Sequence, residues 1–296
     1  MEQNQPGLAG SFGAGRGPRL LSGGGHRATV ISTVSTLVVL AALAAILLLA
    51  PGSRAVEHAF FSPRDMWQAL VGDPRKGYYS VGAAIWLNIR MFLIAEVLIL
   101  ALALVIALVR QSRHPAMFPV RVLSTIYVDL FRGVPLILVI FAIGLGVPAL
   151  SLPVVSNQSD AVYGVAALVL SYSAYVSEVY RAGLNSVNQS QAAAARSLGL
   201  RQPAALRYVI LPQAIRNIIP PLLNDFISLQ KDTALVGVLG TIEANKAADI
   251  YSEQVFNFSS FTVAAILFLI LTIPLARFTD RLIDRDRRRR LAGAMQ

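Results

Sequence analysis

The sequence predicts an all-α polytopic membrane protein, and three observations predict it. Of the 296 residues, 55% are apolar and only 14% charged, too apolar a balance for an ordinary soluble domain. Runs at 28–50, 83–109, 123–147, 161–183, 222–240 and 261–278 come close to or exceed the roughly 20 residues a helix needs to cross a bilayer. The short alternating segments of a membrane β-barrel do not occur, and helices satisfy their own backbone polar groups in lipid.

The elements follow in order. Residues 1–27 are glycine-rich and polar without apolar periodicity, and read as a disordered cytoplasmic tail. The run 28–50 is longer than the roughly 7–15-residue core of a cleaved signal, so it reads as an uncleaved, extra N-terminal span. Residues 51–80 form a loop on the opposite side, 81–284 carry the remaining five spans, and 285–296 form a basic cytoplasmic tail.

Composition narrows the function. With no cysteine, disulfides and thiol-bound metals are excluded. His26, His58 and His114 lack ligand spacing, so no metal site is expected. The formal charge of +10 fits cytoplasmic loops of a membrane protein, not nucleic acid. Arg16, Arg19 and Arg27 precede the first span; Arg110, Arg113 and Arg121 follow the second; Arg281, Arg285 and the arginines at 287–290 end the chain. Residues 150–160 have no Lys or Arg, 241–260 have only Lys246, and 51–80 carry four bases (Arg54, Arg64, Arg75, Lys76) against Glu57, Asp65 and Asp73. Six spans with both termini cytoplasmic satisfy the positive-inside bias best.

That orientation leaves 185–214 in the cytoplasm, with Arg196, Arg201 and Arg207. Residues 184–198 suit one helix, with alanines at 192–195 as strong helix formers and Val187, Ala194 and Leu198 on one stripe. Gly199 stands where a helix end needs positive φ, and Pro203 suits the first turn of a second helix. Leu206, Val209 and Ile210 lie on one side of that helix, and Pro212 disfavours its continuation. Two readings fit: a hairpin lying on anionic lipid, and a knob that docks on a soluble partner.

The spacing Ala193-Ala194-Ala195, three residues, Gly199, nine residues, Val209, one residue, Leu211-Pro212 resembles the EAA loop of ABC-transporter permease subunits. That resemblance implies coupling helices seated in a groove of a separate ATP-hydrolysing subunit, with Arg201 and Leu206 in the same loop. The family's leading glutamate is Ala193 here. The stretches YVDLFRGVPLILVIFAIGLGVP (127–148), AYVSEVYRAGLNSV (174–187) and LLNDFISLQKDTALVGVLG (222–240) are similar to polar-amino-acid permeases. The fold implied is a type I ABC importer (MetI-like) transmembrane bundle, five core helices plus one N-terminal extra helix, in the plasma membrane of a prokaryote. Implied partners are the ABC ATPase, a second permease (the same or a homologue), an extracytoplasmic amino-acid-binding protein, an amino acid and membrane lipid. ATP and magnesium would sit on the ATPase, with no cofactor here.

A wholly apolar bundle cannot conduct a zwitterion, so intramembrane polar residues mark the route. With 222–240 as one helix, Asn224, Asp225, Ser228, Lys231 and Asp232 fall within a sector of roughly 120°. Either this stripe lines the substrate path, or its charges neutralise one another inside the bundle. The mixed groups fit glutamine, glutamate, basic amino acids or cystine. Glu178 and Arg181, three apart, read as a structural ion pair. Arg132-Gly133-Val134-Pro135 marks a break, because proline removes a backbone donor; it either aims helix ends into a cavity, with Arg132 on the path, or only kinks the helix. Glu96, mid-span, requires a partner or a proton. Residues 241–258, with Glu243, Lys246, Asp249 and Glu253, read either as a merely solvated charged loop or as a surface that receives a substrate-delivery protein.

Two functions compete: a permease subunit driven by a partner's ATP hydrolysis, and an ion-coupled secondary carrier using Glu96 or Asp232. The first is favoured by the single coupling-type loop and by the lack of an evident internal repeat; with no G-x-x-x-x-G-K-[ST] nucleotide cradle in the sequence, ATP would be used by a partner. An integral-membrane enzyme is disfavoured, since no HExxH or GxSxG constellation occurs.

Overall fold

The computed structural model describes residues 26–112 and 114–293, so most of the tail at 1–27, and residues 294–296 of the basic tail, lie outside the described residues. The chain divides into two units, one ending at Val56 and one beginning at Glu57. In the first, α1 (His26–Leu49) is apolar on every side. The chain passes to the second unit within α2 (Ser53–Phe60), followed by α3 (Pro63–Val71), which Ser62 caps by accepting from the Asp65 N–H. The segment 51–80, expected as a loop, is therefore largely helical.

The second unit continues with α4 (Val81–Gln111), α5 (Phe118–Gly133), α6 (Leu136–Ala149) and α7 (Asp160–Asn185). Then come the short α8 (Gln189–Ser197) and α9 (Gln202–Ala205), the long α10 (Leu211–Asp232), α11 (Ala244–Val255) and α12 (Ser259–Gly293). Among the described residues no strand occurs, and α4, α7 and Ser259–Arg285 of α12 are each long and apolar enough to span a bilayer. The pair α5–α6 makes a fourth candidate, bent by 110°. α10 is the fifth core helix; Arg216, Asp225, Lys231 and Asp232 make it less apolar than the others.

The break expected at Arg132-Gly133-Val134-Pro135 is present and divides the run 123–147 into two helices: Val134 is extended (φ −97°, ψ 130°), as a residue before proline prefers. Other expectations are corrected. The segment 184–198 is interrupted at Ser186–Asn188, where Asn188 caps α8 by accepting from Ser190 N–H. Pro212 does not stop its helix. Residues 206–210 widen into a π turn, with Leu211 N–H bonded to Leu206 C=O, so α9 runs on into α10; the wider turn relieves the clash a proline ring makes with the carbonyl a turn earlier. The run 222–240 is not one α-helix either. α10 ends at Asp232, and Thr233–Leu239 forms a tighter 3₁₀ stretch closed by left-handed Gly240 (φ 99°). Residues 285–293, the described part of the basic tail, are helical and continue α12.

The core follows from helix periodicity. Met91, Ala95, Ile99 and Ala103 of α4 recur every fourth residue and pack on Leu168, Tyr172 and Val176 of α7, Leu229 of α10 and Val236. Leu93, Val97, Leu104 and Leu108 on the opposite side of α4 stay exposed, as lipid requires. In a bilayer such helices associate by close packing of small residues, and α7 shows it at Gly164: an added Cβ would lie 2.2 Å from Val236 Cγ1. Val236 is fully buried and stiff about χ1. Gly164→Ala is therefore expected to cost about 1–2 kcal/mol by overpacking, seen as a lower thermal midpoint in detergent. Gly146→Ala, with nothing within 4 Å, serves as the neutral control.

Candidate functional site

The elbow between α7 and α10 is built by a few residues. At the end of α8, Leu200 N–H reaches Ala195 C=O (3.1 Å) and Gly199 N–H reaches Arg196 C=O (2.9 Å). This paired closure needs a left-handed residue, and Gly199 supplies it at φ +83°. Pro203 opens α9 as expected. Ala195 and Ala205 are buried where the two arms meet, while Ala193, Ala194, Gly199, Arg201, Leu206, Leu211 and Pro212 are exposed and Val209 is half-buried. The expected stripe of Ala194 and Leu198 is thus not the packed face. Leu198 is 84% and Tyr208 68% exposed. Ala193, Arg196 and Leu206 border a hollow of about 530 Å³ between the arms; its wall has a methyl group at Ala193, where the EAA motif has an acid.

The elbow is tied to the bundle on two sides. Glu178 of α7 is bonded by Arg110 of α4 and by Arg181 Nη2 at 3.0 Å. The expected Glu178–Arg181 pair is present, but Arg110, 68 residues away, is the more buried partner. Asn217 Nδ2 of α10 donates to Ser186 Oγ at the end of α7 (2.7 Å).

Further along α10 lies a polar groove. Asp225, Ser228 and Asp232 face Ser171, Tyr172 and Tyr175 of α7 and Phe131, Val134 and Leu136 at the α5–α6 break, around a cavity of about 240 Å³. Tyr172 donates to Asp232 Oδ2 (2.6 Å). Ser171 Oγ and Asp225 Oδ2 are buried without hydrogen-bond partners. A second hollow shares Tyr175 and Asp225 and runs past Arg132 and Glu178 to Asn217. The break therefore opens onto a cavity. The predicted stripe is split, because Asn224 and Lys231 are exposed and do not line the cavity. Arg132 sits at the mouth, its guanidinium 5.8 Å from the Tyr175 ring and its carbonyl accepting from Tyr175 OH (3.2 Å). Glu96 is half-buried and interacts electrostatically with Asp225, an acid instead of a base.

At the far end, Glu243 is buried instead of available for docking. Its carboxylate accepts from Asn245 N–H, Lys246 N–H (both 2.8 Å) and Asn88 Nδ2 (2.9 Å), capping α11. Burial pushes its carboxyl above the usual carboxylate range, against the pull of these donors. Asn88 Nδ2 also reaches Thr233 Oγ1 (3.2 Å) and its Oδ1 accepts from Ala244 N–H (3.0 Å), so α4, the 3₁₀ stretch and α11 are joined. Lys246 pairs with Asp249 at 2.7 Å, which raises its pKa.

Sequence reasoning missed the α7 wall of the groove. Ser171 and Tyr175 stand four residues apart in an apolar run, on the same helix face, and Tyr172 lies beside them on the wall. Asn88 gave no comparable signal.

Comparison with known proteins adds the lineage. The family described as "Binding-protein-dependent transport system inner membrane component" matches residues 116–289. The chain is similar to the probable glutamine ABC transporter permease GlnM of Bacillus subtilis, 36% identical over 62% of this chain and 84% of the relative. It is also similar to the glutamate transport system permease GluC of Corynebacterium glutamicum, 32% identical over 70% and 93%. Among solved structures, a subunit of an amino acid ABC transporter crystallised with histidines superimposes with a TM-score of 0.63 at 30% identity, covering 69% of this chain and 93% of that one. An inward-facing MetNI methionine transporter gives 0.59 at 16% identity over 76% and 99%, a likeness of fold.

Proposed function

The chain belongs to the family of binding-protein-dependent transport system inner membrane components, and from that premise we propose that it is the permease subunit of an ATP-driven importer of amino acids. Its kin are transport permeases of multi-pass membrane type, not enzymes. In this reading residues 81–284 form the transmembrane domain and 28–50 an added span. The loop 51–80 faces outward, the tails 1–27 and 285–296 lie in the cytoplasm, and 185–214 is the coupling loop. ATP and magnesium are bound by a separate ATPase. A second permease completes the path, and an extracytoplasmic binding protein delivers the substrate at the plasma membrane of a prokaryote.

One observation carries the reading. The exposed elbow closed by Gly199 continues without a break through α9 and the π turn into α10, the helix that supplies Asp225, Ser228 and Asp232 to the groove. From Ala205 to Asp225 the helical path is about 30 Å long at 1.5 Å per residue. A push on the elbow is thereby delivered to the groove along one rod. Alternating exposure of a fixed site by such movements is how transporters work in general.

The chain has no cysteine, so single-cysteine reporters are clean. Leu198→Cys and Leu206→Cys are expected to crosslink to the ATPase in membranes, whereas Val154→Cys, exposed beyond α6, is not. Uptake is expected to survive an ionophore and to stop when ATP is depleted. Loss of uptake with ionophore alone, at normal ATP, would identify an ion-coupled carrier instead.

A further inference from the structure

We propose that the groove selects amino acids with a cationic side chain. This rests on the importer reading above and deepens it to a substrate class. Two carboxylates, Asp225 and Asp232, line the cavity and no lysine or arginine does. The two lie seven residues apart on α10, two turns or about 10 Å along the axis, so they meet opposite ends of an extended solute. Lys231, the base on the sequence stripe, is exposed outside the cavity. Arg132 is confined to the mouth, beside Tyr175.

Two polar atoms of the cavity are also unpaired. Asp225 Oδ2 has no donor, and Ser171, only 2% exposed and lining the same cavity, leaves its Oγ without a partner. A buried polar atom without a hydrogen bond is costly, and both are satisfied by a ligand that brings N–H donors. Asp232 is held in place by Tyr172 OH and retains its second oxygen. The rings of Phe131, Tyr172 and Tyr175 complete the wall, and aromatic faces attract ammonium and guanidinium groups. A diamino acid presents two cations to two carboxylates and its own carboxylate to Arg132. Glutamate presents an extra anion to Asp225 and Asp232, which like-charge repulsion disfavours. Glutamine leaves one carboxylate uncompensated.

The test compares labelled arginine, lysine, glutamine and glutamate uptake in cells lacking this chain and in cells supplied with wild type, Asp225→Asn, Asp225→Glu or Ser171→Ala. Loss of the chain is expected to lower arginine or lysine uptake at least tenfold and to leave glutamate unchanged. Asp225→Asn is expected to lower cation uptake at least tenfold at equal membrane abundance, with Asp225→Glu retaining more and Ser171→Ala losing less. If Asp225→Asn does not accumulate, the comparison of deleted and wild-type cells decides alone. Dependence of glutamine or glutamate uptake on the chain, with arginine and lysine unaffected, overturns the substrate class and leaves the importer standing. No change for any amino acid overturns both.

Discussion

Gly199→Val is expected to reduce transport and substrate-stimulated ATP hydrolysis to background while the protein still inserts and accumulates. The reason is conformational. Gly199 sits at φ +83° with nothing within 4 Å of where a Cβ would stand, so the valine has room but cannot easily adopt the angle. A β-branched residue in the left-handed region costs about 1–3 kcal/mol. Moving φ to a permitted value opens the paired bonds of Leu200 to Ala195 and Gly199 to Arg196 and swings α9 away from α8. The bundle core, formed by α4, α7 and α10, does not include this turn, so folding survives while coupling does not. Gly199→Asn is the discriminating control, because asparagine tolerates the left-handed region; it is expected to retain activity within about twofold. Equal loss in Asn and Val would mean that the elbow contacts its partner through the bare backbone at 199 and that its geometry is not the cause. Normal hydrolysis in the valine variant would remove the docking role altogether.

This elbow was the most legible part of the site, because glycine and proline report backbone geometry wherever they occur. Gly199 and Pro203 fixed the turn and the start of α9 from sequence alone. The long apolar runs were legible for a similar reason, since bilayer thickness imposes a length. Proline at 212 misled because the penalty it imposes has two remedies, and the chain uses the π turn at 206–210 in place of a break. Periodicity placed Asp225, Ser228 and Asp232 on one side of α10 but could not name the facing wall, which α7 supplies through Ser171, Tyr172 and Tyr175. A sector of roughly 120° is also wider than the buried face: Asn224 and Lys231 stand together at one edge of it and are exposed, while Asp225, Ser228 and Asp232 line the cavity. Glu243 shows the converse limit. An acid before a helix reads as solvated surface, and only the tertiary contact with Asn88, 155 residues earlier, reveals it as a buried cap.

Removing the Glu178 carboxylate is expected to destabilise the folded protein by about 2 kcal/mol, between the roughly 0–1 kcal/mol of exposed pairs and the roughly 3–5 kcal/mol of fully buried ones, because the pair is only partly buried. The geometry sets the order of effects. The Arg110 side chain is 9% exposed, Glu178 21% and Arg181 39%. Glu178→Ala strands Arg110 without its counter-ion, so it costs most. Arg110→Ala leaves Glu178 still bonded to Arg181 and costs less. Arg181→Ala removes an exposed partner and costs less than about 1 kcal/mol. Thermal unfolding in detergent of the three single variants tests this order, and an Arg181→Ala effect as large as that of Glu178→Ala would show that the α4 contact is not the anchor. The paired change Arg110→Leu with Glu178→Leu separates stability from transmission. Replacing a buried ion pair by apolar side chains is often neutral, so the midpoint is expected to recover. Transport is not, if the pair has a mechanical role. It joins the end of α4 to the last turns of α7, immediately before the elbow; in a mechanical role it would keep α7 from sliding when α8 and α9 are pushed. A double variant that is both stable and fully active would reduce the pair to packing and leave the Asn217–Ser186 contact as the tie on which the elbow bears.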